Sequence, residues 1–250
     1  MKCGVCNKGL EDTWSTSCSV CTRPVCHEHI TKNICKDCTE DCALITRTPT
    51  VSYAAAIIDI ADEANAWWGW DHGVIDGWRT YYRTELIYLV EMAFRSVPEG
   101  GTILEVGSYG GKTLLALGLV AQRLKAKVIS VDPMVWCGDL AWPHLSQVLK
   151  RFSDEITFHK MTSQDAFDSM NVPTLDFIHI DGDHSDVLTD CRLWLPYLKR
   201  EGIVVFHDAV EAERSADNGY CYQTSMDGSA GYRTVLYRKE DCYQLIRQKP

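Results

Sequence analysis

Short apolar runs alternate with stretches of helical periodicity through most of this chain. Helices are predicted over residues 53–66, 79–96, 143–152 and 186–198, with further helices opening after Gly111 and from Gln164. Strands are predicted at 102–106, 127–132, 156–160, 175–180, 203–207, 233–238 and 242–247. Alternation of this kind builds a doubly wound, mostly parallel sheet. The last two strands have no room for a helix between them, so they predict a closing hairpin. The expected fold is α/β with a seven-stranded sheet.

The first strand runs into a glycine turn, and that turn narrows the choice of ligand. Clustered glycines let the backbone approach a ligand closely, and the following helix N-terminus offers free N–H groups. A phosphate-binding loop would need glycine at position 106, which is Val106. A dinucleotide fingerprint would need glycine at position 109, which is Tyr109. Both interpretations are therefore disfavoured.

The pattern Glu105-x-Gly107-x-x-x-Gly111 resembles the first motif of class I S-adenosylmethionine (SAM) methyltransferases. The second strand ends at Asp132, where a carboxylate can accept both ribose hydroxyls of an adenosine ligand or simply cap a turn. Residues 162–165 lie where the family binds adenine. Helix N-capping by Ser163 is the other role expected there, and the two roles are compatible. The resemblance implies that the cofactor contacts Glu105, Gly107, Ser108, Tyr109, Gly111, Asp132, Ser163, Gln164 and Asp181.

Two further strands end in charged or imidazole groups, at residues 177–184 and 203–208. With the glycine turn and the helix before it, they resemble the methyltransferase family allied to macrolide sugar O-methyltransferases and catechol O-methyltransferase. This resemblance covers residues 77–210 and implies two further roles. A divalent ion would be held by Asp181, His207 and Asp208, and the general base would be His184 or Asp183.

A nitrogen donor at His207 departs from what Mg²⁺ prefers. Another ion that tolerates imidazole, such as Mn²⁺ or Fe²⁺, and no metal at all are the alternatives. His179 is expected in the core, and Asp186 and Asp190 are expected at a helix start and on a solvated face.

The N-terminal head is rich in cysteine, with eight of the chain's twelve cysteines in the first 42 residues. Its ligand pairs have zinc spacing and predict two structural ions. They resemble the cross-brace modules of the RING, B-box and AN1 types. By that resemblance one ion takes Cys3, Cys6, Cys26 and His29, and the other takes Cys18, Cys21, Cys35 and Cys38. His27 is an alternative to His29, and a disulfide framework is the alternative to zinc.

The chain is thus divided into a zinc module (1–45), a linker with an aromatic helical leader (46–78) and a methyltransferase domain (79–250). The aromatic residues of the leader either form a lid over the ligand or pack against the main domain or another subunit. They are Trp67, Trp68, Trp70, Trp78, Tyr81 and Tyr82.

Charge and hydropathy restrict the partners. The chain has 25 basic and 34 acidic residues, and the resulting net charge of −9 argues against a broad nucleic-acid surface. No signal peptide or membrane span is recognised, so a cytoplasmic protein is expected.

The function expected from the resemblance is methyl transfer from SAM to a hydroxyl of a sugar or other small polar acceptor. The alternatives are a protein or nucleic-acid substrate docked by the zinc module, and a non-catalytic adaptor. A homo-oligomer is also expected.

Overall fold

The computed structural model describes residues 15–17, 24–26, 30–31, 34–35, 51–68, 74–75, 78–79, 83–135, 138–183, 185–209, 225, 227–237 and 244–250. In the head, Ser15–Ser17 pairs with Pro24–Cys26 and Ile30–Thr31 pairs with Ile34–Cys35, both antiparallel. Val74–Ile75 pairs in the same way with Trp78–Arg79. The predicted zinc ligands Cys3, Cys6, Cys18, Cys21, His29 and Cys38 lie outside the described residues, as does His184.

Seven strands form one sheet, as predicted. They are β1 (Thr102–Val106), β2 (Lys127–Val131), β3 (Ile156–His159), β4 (Leu175–Ile180), β5 (Leu198–Phe206), β6 (Arg233–Tyr237) and β7 (Leu245–Gln248). Their order is β6-β7-β5-β4-β1-β2-β3. Strands β1 to β5 pair in parallel, and β7 pairs antiparallel with both β5 and β6. The expected closing pair is therefore confirmed, with β7 inserted beside β5.

Six α-helices in the described part of the chain cover the two faces of the sheet. They are α1 (Val51–Trp68), α2 (Arg83–Ser96), α3 (Lys112–Leu124), α4 (Gly138–Arg151), α5 (Ser163–Ser169) and α6 (Val187–Trp194). Apolar residues of α1 to α4 form one core with the sheet, and those of α5 and α6 form a second core on the other face. Ligand sites in such sheets lie beyond the C-terminal ends of the strands.

The helices α1 and α2 pack as their sequence periodicity predicts. The inner face expected for α2, at Leu86, Leu89, Val90 and Ala93, is fully buried. None of the helices in the described part of the chain combines the length and apolar character needed to cross a bilayer.

Two expectations about the first turns of α5 and α6 were wrong. Thr162, not Ser163, is the N-cap of α5, since its side chain accepts a hydrogen bond from the Asp165 N–H. Asp190 was expected on a solvated face but is buried, because it follows Val187 by one turn on the face of α6 that packs in the second core.

Candidate functional site

The glycine turn after β1 is closed so tightly that it admits no side chain at its first position. Gly107 has a φ of 85°, and a Cβ added there would lie 2.0 Å from the backbone oxygen of Asp181 at the end of β4. Gly111 has a φ of 86°, and its Cβ would lie 3.1 Å from Leu145 Cδ1 on α4. Both conformations favour glycine. The predicted motif therefore brings the ends of β1 and β4 into backbone contact at the start of α3.

Asp132, which follows β2, fixes the residues inside this turn. Its Oδ2 accepts hydrogen bonds from the N–H groups of Ser108 and Tyr109, both at 2.8 Å. Its Oδ1 accepts from the Met134 N–H at 2.6 Å. Tyr109 has a φ of 46°, which is uncommon for a residue with a side chain. The carboxylate of Asp132 therefore caps the turn, which is one of the two roles expected from the sequence. It also lies beside the glycine turn, the position needed for the other expected role, binding the ribose of the ligand.

Beneath the turn is a buried polar layer. Glu105 is fully buried, and its Oε1 lies 3.5 Å from Nδ1 of His179, which is equally buried on β4. Ser130 on β2 donates to Glu105 Oε2 at 3.4 Å, and its hydroxyl also bonds that of Ser108. His179 is in the core, as expected. Glu105 is held inside the sheet under the turn. Its Oε2 accepts a hydrogen bond from Ser130, whereas Oε1 faces His179 without a hydrogen bond.

The end of β3 places Ser163 and Gln164 on the first turn of α5. Ser163 Oγ accepts a hydrogen bond from Trp194 Nε1 at 3.4 Å, and Gln164 Nε2 donates to Asp168 at 3.0 Å. Burial raises the pKa of the neighbouring Asp190 to about 6, against a smaller opposing effect of the hydrogen bond from Ser163. The charges of Asp186 and Asp183 add to the increase.

The ends of β4 and β5 bring together Asp181, His207 and Asp208, as the sequence predicted. Nδ1 of His207 lies 3.0 Å from Asp181 Oδ1 and 3.6 Å from Asp208 Oδ2. On the other side of the ring, Nε2 lies 3.4 Å from Oε1 of Glu85, a buried residue of α2. Burial by itself would lower the pKa of His207. The charges of Asp181 and Asp208, with hydrogen bonds to Asp181 and Glu85, outweigh that effect, so the pKa is raised well above its ordinary value.

This arrangement does not fit a hard divalent ion. Mg²⁺ takes oxygen ligands, whereas the central donor here is a ring nitrogen that is hydrogen-bonded to Asp181. A nitrogen binds a metal only through an unprotonated lone pair. Both nitrogens of His207 face carboxylates, so the ring is placed to carry protons on both.

Of the two candidate bases, Asp183 is described. Its Oδ1 accepts from both the N–H of Ser185 at 2.9 Å and the hydroxyl of Ser185 at 2.6 Å. Both hydrogen bonds lie within the turn that precedes α6. Asp183 is therefore better suited to shaping the turn before α6 than to taking a proton.

Three residues near the strand ends were not predicted from the sequence: Asn65, Glu85 and Lys112. Nζ of Lys112, in the first turn of α3, donates to Asn65 Oδ1 on α1 at 3.2 Å. Burial lowers the pKa of Lys112 to about 8, although the charge of Glu85 opposes this shift. A signal was available for Glu85, since it lies four residues before Leu89, and residues at that spacing share the predicted inner face of α2. Asn65 gave none.

Residues 104–209 match a family model described as a methyltransferase domain. A comparison with curated proteins gave no match. Similar solved structures include a putative caffeoyl-CoA O-methyltransferase from Staphylococcus aureus, with a TM-score of 0.57 and 15% identity over 86% of this chain and 100% of that one.

The O-methyltransferase TomG from Streptomyces achromogenes, solved with SAM, has a TM-score of 0.56 and 13% identity over 77% of this chain and 90% of that one. An O-methyltransferase from Bacillus cereus, solved with SAH, has a TM-score of 0.52 and 13% identity over 84% and 96%. At these identities the likeness establishes the fold, which is that of the class I methyltransferases.

Proposed function

We propose that this chain is a SAM-dependent methyltransferase that acts on a hydroxyl group of a sugar or another small polar molecule. The main support is the glycine turn at Gly107, which lies against the end of β4 and is held by the Asp132 carboxylate. That turn falls within the residues that match the methyltransferase model. The class I fold and the neighbours solved with SAM or SAH add to this support.

The residues around the turn fit the cofactor. The absence of side chains at Gly107 and Gly111 leaves the turn close to β4 and α4, so the backbone can approach a ligand. In this proposal the turn holds the amino-acid end of SAM, Asp132 holds the ribose, and Ser163 and Gln164 lie beside the adenine. Asp181 closes the site from β4. When bound, SAM supplies an electrophilic methyl group.

The acceptor hydroxyl must lose its proton to become a useful nucleophile, so the site needs a base. Because Asp183 is engaged by Ser185, we assign this role to His184. Asp181 and Asp208 orient the acceptor from the ends of β4 and β5. We expect His184→Ala to reduce the rate about 100-fold or more. A near-normal rate would return the role to Asp183 or to solvent.

SAM binding is tested by calorimetric titration of the wild type and Asp132→Asn. The substitution keeps the shape but removes the charge that strengthens the bonds from Ser108 and Tyr109, so we expect roughly 10- to 100-fold weaker SAM binding. Asp154→Asn is the matched control, since Asp154 is exposed before β3, at the N-terminal ends of the parallel strands, whereas Asp132 lies at their C-terminal ends. No measurable SAM binding by the wild type would refute the proposal and favour the adaptor alternative.

The acceptor is identified by incubating the protein and methyl-labelled SAM with extract of its source cell and fractionating the label. Label in small polar molecules supports the proposed acceptor class. Label in protein or nucleic acid would instead assign the head a docking role.

The cysteine pairs of the head support a further part of the proposal, two structural zinc ions. A segment this short buries too little apolar surface to fold without them. Metal analysis of protein purified without chelator is expected to give two zinc ions per chain. A value near zero would refute this assignment.

A further inference from the structure

We infer that His207, as an imidazolium held between Asp181 and Glu85, takes the place of a divalent cation at the ends of β4 and β5. The inference rests on where the two ring nitrogens lie. Nδ1 is 3.0 Å from Asp181 Oδ1, and Nε2 is 3.4 Å from Glu85 Oε1. A carboxylate oxygen only accepts, so each ring nitrogen must donate to make both contacts.

The charges around the ring favour the same state. Three carboxylates face it, those of Glu85, Asp181 and Asp208, and the Glu85 side chain is 1% exposed. Buried carboxylates are costly unless a cation or hydrogen bonds compensate them. An imidazolium between Asp181 and Glu85 meets this need.

The described groups that face His207 come from three elements. Glu85 lies on α2, Asp181 follows β4, and Asp208 is the next residue in the chain. Lys112 on α3 also acts on Glu85 through its charge. This group thus holds three carboxylates and one lysine. Because negative charges are in excess there, a positive charge on His207 is stabilised in addition to that of Lys112.

His207 is thus a positioning residue. It holds the Asp181 carboxylate at the end of β4, beside the backbone that meets Gly107, and leaves Asp208 partly exposed for a ligand. A divalent ion bound by Asp181, His207 and Asp208 would have to displace the proton on Nδ1 of His207. With that proton in place, the imidazolium rather than a metal ion holds the carboxylates at the strand ends.

The protonation state is measured directly by NMR of protein labelled with ¹⁵N-histidine at pH 7.5, with the His207 signal assigned by its loss in His207→Gln. An ordinary histidine, with a pKa near 6.5, is about one-tenth protonated at that pH. We expect His207 to show two protonated ring nitrogens. A neutral tautomer would overturn the inference.

The second measurement is Mn²⁺ binding by wild type and His207→Asp. The substitution removes the internal cation and supplies an oxygen ligand, so we expect Mn²⁺ affinity to rise at least 10-fold over a wild-type Kd on the order of 1 mM or weaker. The cysteine-rich head is identical in both proteins, so any Mn²⁺ it binds cancels in the difference. No gain in the variant, or tight wild-type binding that Asp181→Asn abolishes, would overturn the inference.

If His207→Asp fails to fold, the NMR state and the Mn²⁺ affinity of the wild type still decide the matter. Neither measurement needs SAM, an acceptor or turnover. The inference therefore stands or falls independently of the proposed function.

Discussion

Replacing Gly107 with alanine tests whether the contact between the ends of β1 and β4 determines the site. The added Cβ would lie 2.0 Å from the Asp181 carbonyl oxygen and 2.4 Å from its carbon. These are backbone atoms, so no side-chain rotation relieves the overlap. The two strand ends must separate by about 1 Å or more to restore an ordinary contact.

The cost has two parts. A side chain in the left-handed conformation costs about 1–2 kcal/mol. Separation of the strands also strains the bond from the Asp181 N–H to the Val106 oxygen, at 2.8 Å, and that from the Gly107 N–H to the Val131 oxygen, at 2.9 Å. Each buried bond left unmade costs about 1–3 kcal/mol. We therefore expect Gly107→Ala to lower the free energy of unfolding by about 4 kcal/mol or more.

Gly100→Ala is the matched control. Gly100 has a φ of 75°, but a Cβ there would have no atom within 4 Å. Its substitution carries the conformational cost alone, about 1–2 kcal/mol. The difference between the two variants isolates the contact with Asp181.

Unfolding in urea is monitored by the circular dichroism signal of the helices, and SAM is titrated into each folded variant. We expect Gly107→Ala to lose SAM binding and Gly100→Ala to keep it. If Gly107→Ala is already unfolded without urea, the wild-type free energy gives a lower limit to the loss. Equal destabilisation by the two substitutions would refute the reasoning.

Substitutions at three further positions test individual burial and capping effects by urea unfolding. Lys112→Met is expected to stabilise by about 2 kcal/mol at pH 7, since removing a buried amine outweighs the lost bond to Asn65. Because the native pKa lies below the unfolded one, this gain should shrink as pH rises from about 8 to 10.5. Asp190→Asn should stabilise by up to about 3 kcal/mol above pH 6 and little below pH 4, because the raised pKa makes the wild type lose stability across that range. Thr162→Ala should cost about 1 kcal/mol, and Thr162→Ser should restore most of it.

The strands could be predicted where burial on both faces made them apolar throughout. All six residues of Leu175–Ile180 are buried, and their predicted bounds were correct. The fifth strand was predicted to begin at Ile203 but begins at Leu198, because Leu198 pairs with Leu175 of β4. The exposed residues 199–201 hide this start, and sequence periodicity does not report such pairing.

The site could be predicted where its residues follow strand ends in the sequence. Asp181, His207 and Asp208 meet because parallel strands end at one edge of the sheet. The state of His207 could not be predicted, since Glu85 reaches it from α2 through tertiary packing. Asp190 was mispredicted although a signal existed, because it belongs to the same helical face as the buried Val187, Cys191 and Trp194.

The helices that precede the sheet contribute side chains to its polar edge as well as covering its core. Asn65 on α1 accepts a hydrogen bond from Lys112, and Glu85 on α2 lies 3.4 Å from His207. Buried polar groups are stable only with such partners, so these contacts tie both helices to the strand ends where the cofactor and acceptor are proposed to meet. Replacing the polar side chain of Asn65 or Glu85 should therefore change ligand binding, even where the apolar faces of α1 and α2 are intact. The charge state of this edge is set jointly by the sheet and by the helices before it.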